Sequence, residues 1–483
     1  MLGAGLSAIQ LVPSWEFLRQ TTLPNGLPPD IASYFSFPLA HLGSFIQPFV
    51  LGDPRIGTYP HFASFDGSIF WENTGYIGLL PLVLTIPTLW YKHTKIRFFL
   101  CVIAVSFLLM WGSHSPLYII YSIWPFNLFR VPSRFLWLFV FSIVTLASIG
   151  LNYLMQNLKN KFLFISLIML AAANVIHLFV LWQNYHLFVS ARDWMNPPQI
   201  LTLIPSAARI YTIGSEITHN KFFLSQGWKN TSPFVFLRND LAPDSNLIWG
   251  RANFGVYAGR TLRRTDIFSA LLAQNVHISE NQATPSALYK TLLDVSSVTT
   301  LISTVPLDES QIHDSKKPFK REKVYTGAGT TLYLYTNPNA RPRAYLASGA
   351  KTVSTVEDSA RALADNPSER NVLVERRLPF TEQKSGGTVQ VRDTNDTNVS
   401  IAVENNPGDA ILVLTDTIYP GWIARTDGEV TPIVPVNIQF RGIKIPAGTH
   451  SITFEYKPAS FRIGATVTSI FMIIIVFLAV FPE

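Results

Sequence analysis

Two arginines, Arg130 and Arg134, flank Pro132 within the otherwise apolar and aromatic string PLYIIYSIWPFNLFRVPSRFLWLF, residues 116–139. Unpaired charge in hydrocarbon costs roughly 2.5–3.5 kcal/mol or more, so each guanidinium must snorkel, pair with a carboxylate or hold an anion. Pro132 suits the first turn of a helix, where its missing N–H leaves nothing unsatisfied. The first N–H groups of that helix would then point at the same anion as the two forks, an arrangement suited to phosphate. Ser133, placed as N-cap, would instead satisfy one of those donors itself. The plainer alternative makes both arginines interfacial anchors or salt-bridge partners of a neighbouring loop.

Carboxylates that could serve beside them lie in the Pro-, Phe- and Tyr-rich stretch 19–74: Asp53, Asp66 and Glu72. Such acids could hold a divalent metal or sugar hydroxyls. Scattered loop acids are also commonly just solvated. Gln10 and Glu16 fall within an apolar run and should be buried between helices or lie near the interface. His177, next to Asn174 in a hydrophobic run, reads either as a proton-handling group or as a histidine bonded to a neighbouring helix. Trp422 in YPGW could stack on a sugar, or could fill a β core while Pro420 and Gly421 make the turn. Asn230, Asn395 and Asn398 match glycosylation sequons, a pattern that short Asn-rich loops also produce by chance. Gly-rich phosphate loops, HExxH, nucleophile elbows and Cys/His metal clusters are absent from the sequence, which disfavours nucleotide-dependent soluble catalysis. The lone Cys101 supports no disulfide framework.

The elements that must position these groups follow from composition. The chain has 483 residues, 48% hydrophobic and only 14% charged, whereas soluble proteins are near a quarter charged. Spans are predicted at about 75–91, 97–112, 135–154, 162–184 and 461–481, with Pro81 and Pro87 kinking the first. Residues 1–18 are short and interrupted, and lack the basic start of a signal peptide. The compact basic connectors carrying Lys92, Lys95 and Arg97, and Lys159 and Lys161, read as cytoplasmic. That places residues 186–460 on the outer face. Of the net charge of +7, residues 186–460 carry 28 Lys/Arg against 25 Asp/Glu, a balanced surface, and the remainder carries 10 against 6, concentrated in short loops. With no basic stripe or recognition motif, nucleic acid is excluded as a partner.

Residues 186–369 show short β-like strings (RIYTIG, VTTLIST, TLYLYT, RAYLAS, NVLVERR) and helical stretches at about 283–295 and 357–365, a mixed α+β region. From 370 to 460 turn signals recur every 10–20 residues, and Ile452, Phe454 and Tyr456 share one face of an alternating strand. Asp427-Gly428 is a two-residue hairpin signal. The expected architecture is therefore a transmembrane helical bundle (1–185), the α+β region, a β-sandwich, and a C-terminal transmembrane helix (461–483).

AIQLVPSWEF (8–17), FWENTGYIGLLPLVL (70–84), FNLFRVPSRF (126–135) and the tail 414–464, with its PGW, DG, FRG and PAG elements, together resemble the bacterial YfhO-type membrane proteins. SNLIWG (245–250) and LYTNPNARPRAYL (334–346) add to the likeness. The family is similar to the GT-C superfamily of multi-span glycosyltransferases. The resemblance implies transfer of sugar from a polyprenyl-phosphate carrier to a teichoic-acid-like envelope glycopolymer, outside the bacterial cytoplasmic membrane. It also implies further helices ahead of AIQLVPSWEF and a catalytic acid in an earlier outer loop. This chain would then be the C-terminal portion of the fold, with no residue matched to that acid. Arginines or a divalent metal would hold the departing lipid phosphate, a role that falls to Arg130 and Arg134. The competing reading is a membrane-anchored scaffold whose outer β-sandwich binds envelope glycan or a partner protein. A transporter is disfavoured by the scarcity of charge within the spans and the lack of an inverted repeat.

Overall fold

The computed structural model describes residues 2–60, 69–90, 94–157, 160–183, 185–312, 318–347, 349–365, 371–376 and 386–481. The chain divides into two compact units. One comprises Asn25–Trp194 and His219–Val235; the other comprises Met1–Pro24, Met195–Thr218 and Phe236–Glu483.

In the first unit, helices Pro132–Asn157 and Lys161–Trp182 are long and apolar enough to cross a membrane. Both match runs rich in Leu, Ile, Val and Phe that reach the twenty-odd residues a bilayer demands. Helix Thr94–Met110 has 17 residues, a rise of about 25 Å. The expected span at 75–91 is corrected. Regular helix occupies only Leu79–Thr85 and gives way to a 3₁₀ turn, Ile86–Trp90. Gly78, at φ +85°, starts the helix late, and Pro87 has no N–H with which to continue it. A small core of Phe37, Phe45, Met110 and Leu136 closes this unit.

In the second unit, helix Ala459–Val480 is the third candidate span. The interrupted opening run folds as two helices, Leu2–Leu6 and Ala8–Arg19, packed against it. A Cβ on Gly464 would stand 2.5 Å from the Ala8 carbonyl oxygen and 2.9 Å from Ile9 Cα, so only glycine permits this approach. The break at Ser7 frees the Ile9 N–H, which donates to Thr468 Oγ1 at 2.9 Å. Small residues bringing backbones together, with a hydroxyl as glue, are the usual means by which membrane helices associate.

Three larger sheets build the rest of that unit. The first has five strands, with Arg209–Ile213 parallel to both Ala252–Asn253 and Thr300–Ser303. Thr330–Thr336 and Lys320–Gly327 continue it in antiparallel fashion. Helix Ala287–Val295 is shorter than the 283–295 expected. Ala283–Pro285 pairs as a strand, and the Ser286 hydroxyl caps the helix by accepting the Tyr289 N–H. Helix Val356–Asp365 stands where a helix was expected. A six-stranded sheet draws on Ala344–Ala347 and Val372–Val374 as well as Ala410–Thr417 and Phe440–Ile445. A five-stranded sheet holds Asn398–Asn406, Trp422–Thr426 and Gly448–Tyr456. These two sheets share one apolar core, with Leu412, Leu414 and Ile443 from one and Val399, Ile401, Ile452 and Phe454 from the other. Asp427 and Gly428 both take positive φ, 51° and 92°, and close the hairpin between Trp422–Thr426 and Glu429–Thr431.

Candidate functional site

Pro132 opens the Pro132–Asn157 helix in a 3₁₀ turn, as its fixed φ favours. Ser133 does not cap that helix: its N–H and hydroxyl both reach back to the Phe35 carbonyl, at 3.3 and 2.5 Å. The residue before the proline is Val131, at φ +69° and buried. A β-branched side chain in the left-handed region costs on the order of 1–3 kcal/mol. The bonds from Ser133, together with the Arg134 N–H to the Val131 carbonyl at 3.1 Å, hold the turn between the two arginines.

Those arginines have different fates. Arg134 donates from Nε and Nη2 to both carboxylate oxygens of Glu72, with the shortest contact 2.9 Å. Two residues singled out in the sequence, 62 positions apart, thus form a bidentate pair. Its arginine side chain is 64% exposed and its glutamate 18%. Arg130 is exposed and makes no hydrogen bond or ion pair among the described residues. Around it Ile123, Trp124, Phe126 and Phe129 present large apolar surface. A segment of short 3₁₀ turns carries them, Tyr118–Ser122 and Phe126–Leu128.

Asp53 is held by its own neighbour Arg55 through three side-chain bonds of 2.7–3.1 Å, and it caps the turn that follows by accepting the Arg55 N–H. Its carboxylate is therefore committed locally. Asp66 lies outside the described residues. Among the described residues, no group of three or more His, Cys, Asp or Glu side chains could hold a metal ion. His177 Nε2 meets the Tyr76 hydroxyl at 3.0 Å, and Asn174 donates to the Ile77 carbonyl at 3.2 Å. Both polar side chains thus bind the segment leading into Leu79–Thr85, the plainer of the two readings for that histidine.

In the other unit, Gln10 donates to Ser14 Oγ at 3.0 Å, within its own helix. Glu16 accepts from Ser460 Oγ at 3.0 Å, at the start of the last span. Burial and the Glu16 carboxylate push the Tyr419 hydroxyl up to about 12. Trp422 is half-buried, with the Arg441 guanidinium 3.9 Å from its ring centroid and Tyr456 packed at 5.2 Å. Asn230 and Asn395 turn their side chains onto the N–H groups of Ser232 and Thr397 in local turns.

A charge cluster that the sequence did not suggest surrounds Asp416. Arg209, Arg343 and Arg441 approach its carboxylate at 2.8, 2.7 and 3.3 Å. Burial alone would raise Asp416, but the three guanidiniums outweigh it and hold the carboxyl below its usual range. Burial also pushes Arg441 down to about 10, against the pull of Asp416. The four residues are drawn from positions 209 to 441, so neither spacing nor periodicity announces them.

Residues 380–468 match the family model described as Bacterial membrane protein YfhO. That stretch runs through the Asn398–Asn406, Trp422–Thr426 and Gly448–Tyr456 strands into the start of the last span, so over this segment the chain is similar to YfhO-type bacterial membrane proteins. No curated protein and no solved structure matches the chain.

Proposed function

We propose that this chain binds the phosphate of a polyprenyl-phosphate-linked sugar at Arg130 and Arg134. In this reading it forms part of a GT-C-like glycosyltransferase acting on envelope glycopolymer, with residues 186–460 on the extracytoplasmic side as a β-sandwich-bearing head. The observation that carries the proposal is Arg130: a guanidinium that meets no partner among the described residues, in an aromatic surface at the entry of a candidate span. Such a fork fits phosphate oxygens, and a hydrogen bond to a charged group is worth about 1.5–3 kcal/mol. Arg134, already bidentate to Glu72, would contribute field more than a free fork. The basic clusters at Lys95–Arg97 and Lys161 support the orientation, and the family match supports the setting.

The test is Arg130→Ala in nanodiscs, with farnesyl phosphate as the probe and native mass spectrometry as the readout. Affinity should fall about tenfold or more, with Arg130→Lys intermediate and membrane insertion intact. Unchanged affinity removes the site.

A further inference from the structure

Residues 252–259, ANFGVYAG, carry no charge, and Arg251 and Arg260 bracket them. The stretch runs from the edge strand Ala252–Asn253 towards helix Arg263–Gln274. Its first half is anchored. Phe254 donates its N–H to the Ile210 carbonyl at 2.8 Å and packs its ring against Phe268 and Phe440. Asn253 Oδ1 accepts the Gly255 N–H at 2.7 Å. Val256 and Tyr257 then turn away from the core: Tyr257 is 82% exposed and Val256 55%. Leu247 and Ile248, in the turn just before the strand, are exposed as well. A Cβ on Gly255 would stand 2.9 Å from Pro243 Cγ, so that turn and the loop pack together. Apolar side chains scattered singly over a surface are ordinary, but four gathered about one short strand mark an interaction surface.

What covers them follows from where the far end of the loop is tied. Leu262 bridges to Thr21, the Arg263 N–H donates to the Gln20 carbonyl at 2.9 Å, and Arg260 reaches the Leu23 carbonyl at 3.5 Å. Residues 20–23 follow directly on helix Ala8–Arg19. That helix runs antiparallel to the last span: Ile9 meets Thr468, and Glu16 meets Ser460 in the span's first turn. Continuing from Glu16 to Gln20 therefore leads outward from the hydrocarbon by about 6 Å. A headgroup layer is about 5–7 Å deep on each side of the bilayer, so Gln20 and the residues bonded to it stand at that level. The five steps from Leu262 back to Tyr257 reach up to about 17 Å, enough to return to the acyl boundary. Tyrosine favours that boundary, with its ring in apolar surroundings and its hydroxyl wet. Arginines on either side of an apolar tip suit the phosphate level above it.

We propose that the loop 255–260 dips into the membrane interface beside the last span, seating Val256 and Tyr257 among lipid headgroups and upper acyl carbons. The partner of this surface is the bilayer itself, which continues from the Ala459–Val480 span. This placement does not depend on the phosphate reading at Arg130.

A spin-label depth measurement on the full chain in phosphatidylcholine nanodiscs tests it. In a Cys101→Ser background, a nitroxide is attached at Tyr257→Cys. Its relaxation by oxygen, which concentrates in lipid, is compared with relaxation by a water-soluble nickel chelate. Two exposed positions set the scale, Ile473→Cys within the last span and Val430→Cys in the hairpin of Trp422–Thr426. That strand pairs Trp422 with Tyr456 and Thr426 with Ile452, so it carries Val430 away from the span. The oxygen-to-nickel ratio at 257 should exceed that at 430 about fivefold and stay below that at 473. A ratio equal to that at 430 puts the loop in water and overturns the proposal. A label shielded from both reagents overturns it too, because it marks contact with a second copy or a partner protein. Cysteine at so exposed a position removes no core packing, and the Ile473 label reports that the chain has inserted.

Discussion

Glu72→Gln isolates the charge that competes for Arg134. The glutamate spans the guanidinium edge with contacts of 2.9–3.2 Å, the fork geometry a phosphate would adopt. Glutamine keeps one acceptor in place and removes the negative charge. A phosphate at the same guanidinium would stand about 4 Å from Glu72, where repulsion is about 1 kcal/mol in water and about 4 kcal/mol near a protein surface. With the Arg134 side chain 64% exposed, the water-like value applies. The variant should then bind farnesyl phosphate in nanodiscs roughly fivefold more tightly at low salt. At 1 M salt the screening length falls to about 3 Å, and the gain should disappear. Weaker binding at low salt would refute the reasoning, since it would show that Glu72 holds the arginine in a productive pose rather than competing for it.

Other tests address the scaffold. Lys290 is fully buried, with Nζ 2.7 Å from Asp294 and 2.5 Å from Asn337. Lys290→Met should therefore destabilise by about 3–5 kcal/mol, with Lys290→Met/Asp294→Leu recovering at least half in urea unfolding. Gly464→Val should cost about 1–3 kcal/mol by overpacking against Ala8 and Thr468→Ala about 0.6 kcal/mol, both read as lowered melting temperature. Asp427, hydrogen-bonded to His450 at 2.6 Å, raises that histidine, and the histidine in turn lowers Asp427. The histidine's contribution is full below its ordinary value near 6.5 and fades as pH climbs through the raised one. The carboxylate's contribution is lost only as pH falls through its depressed value. Melting temperature should therefore drop between pH 6 and 8.5, and His450→Gln should flatten that slope.

Legibility followed range. The spans at 135–154, 162–184 and 461–481 could be read because twenty apolar residues in a row have few other uses, and the structure moves their ends by only a few residues. Gly448–Tyr456 could be read because alternation is local: Ile452 and Phe454 are buried as their period requires. Helices Ser215–Gln226 and Arg263–Gln274 escaped notice. The apolar residues of the first are scattered rather than aligned on one face, and those of the second are interrupted by charge. For the candidate site, the sequence showed which residues carry charge at a lipid boundary but not who meets whom. Glu72 and Arg134 find each other across 62 positions through tertiary packing that no periodicity encodes. Trp422 was ambiguous for the same reason, because Arg441 covers it only once two strands lie together.

The bond from Ile9 to Thr468 joins residues 459 positions apart. At about 5–20 residues per second of synthesis, the opening helices emerge from the ribosome some half a minute to a minute and a half before their partner exists. Throughout that interval Gly5, Ala8 and the free Ile9 amide are exposed to whatever surrounds the nascent chain. Final assembly of this unit is consequently a late event in biogenesis, and a chain stalled before residue 464 would leave that early segment as a ready substrate for membrane quality-control proteases.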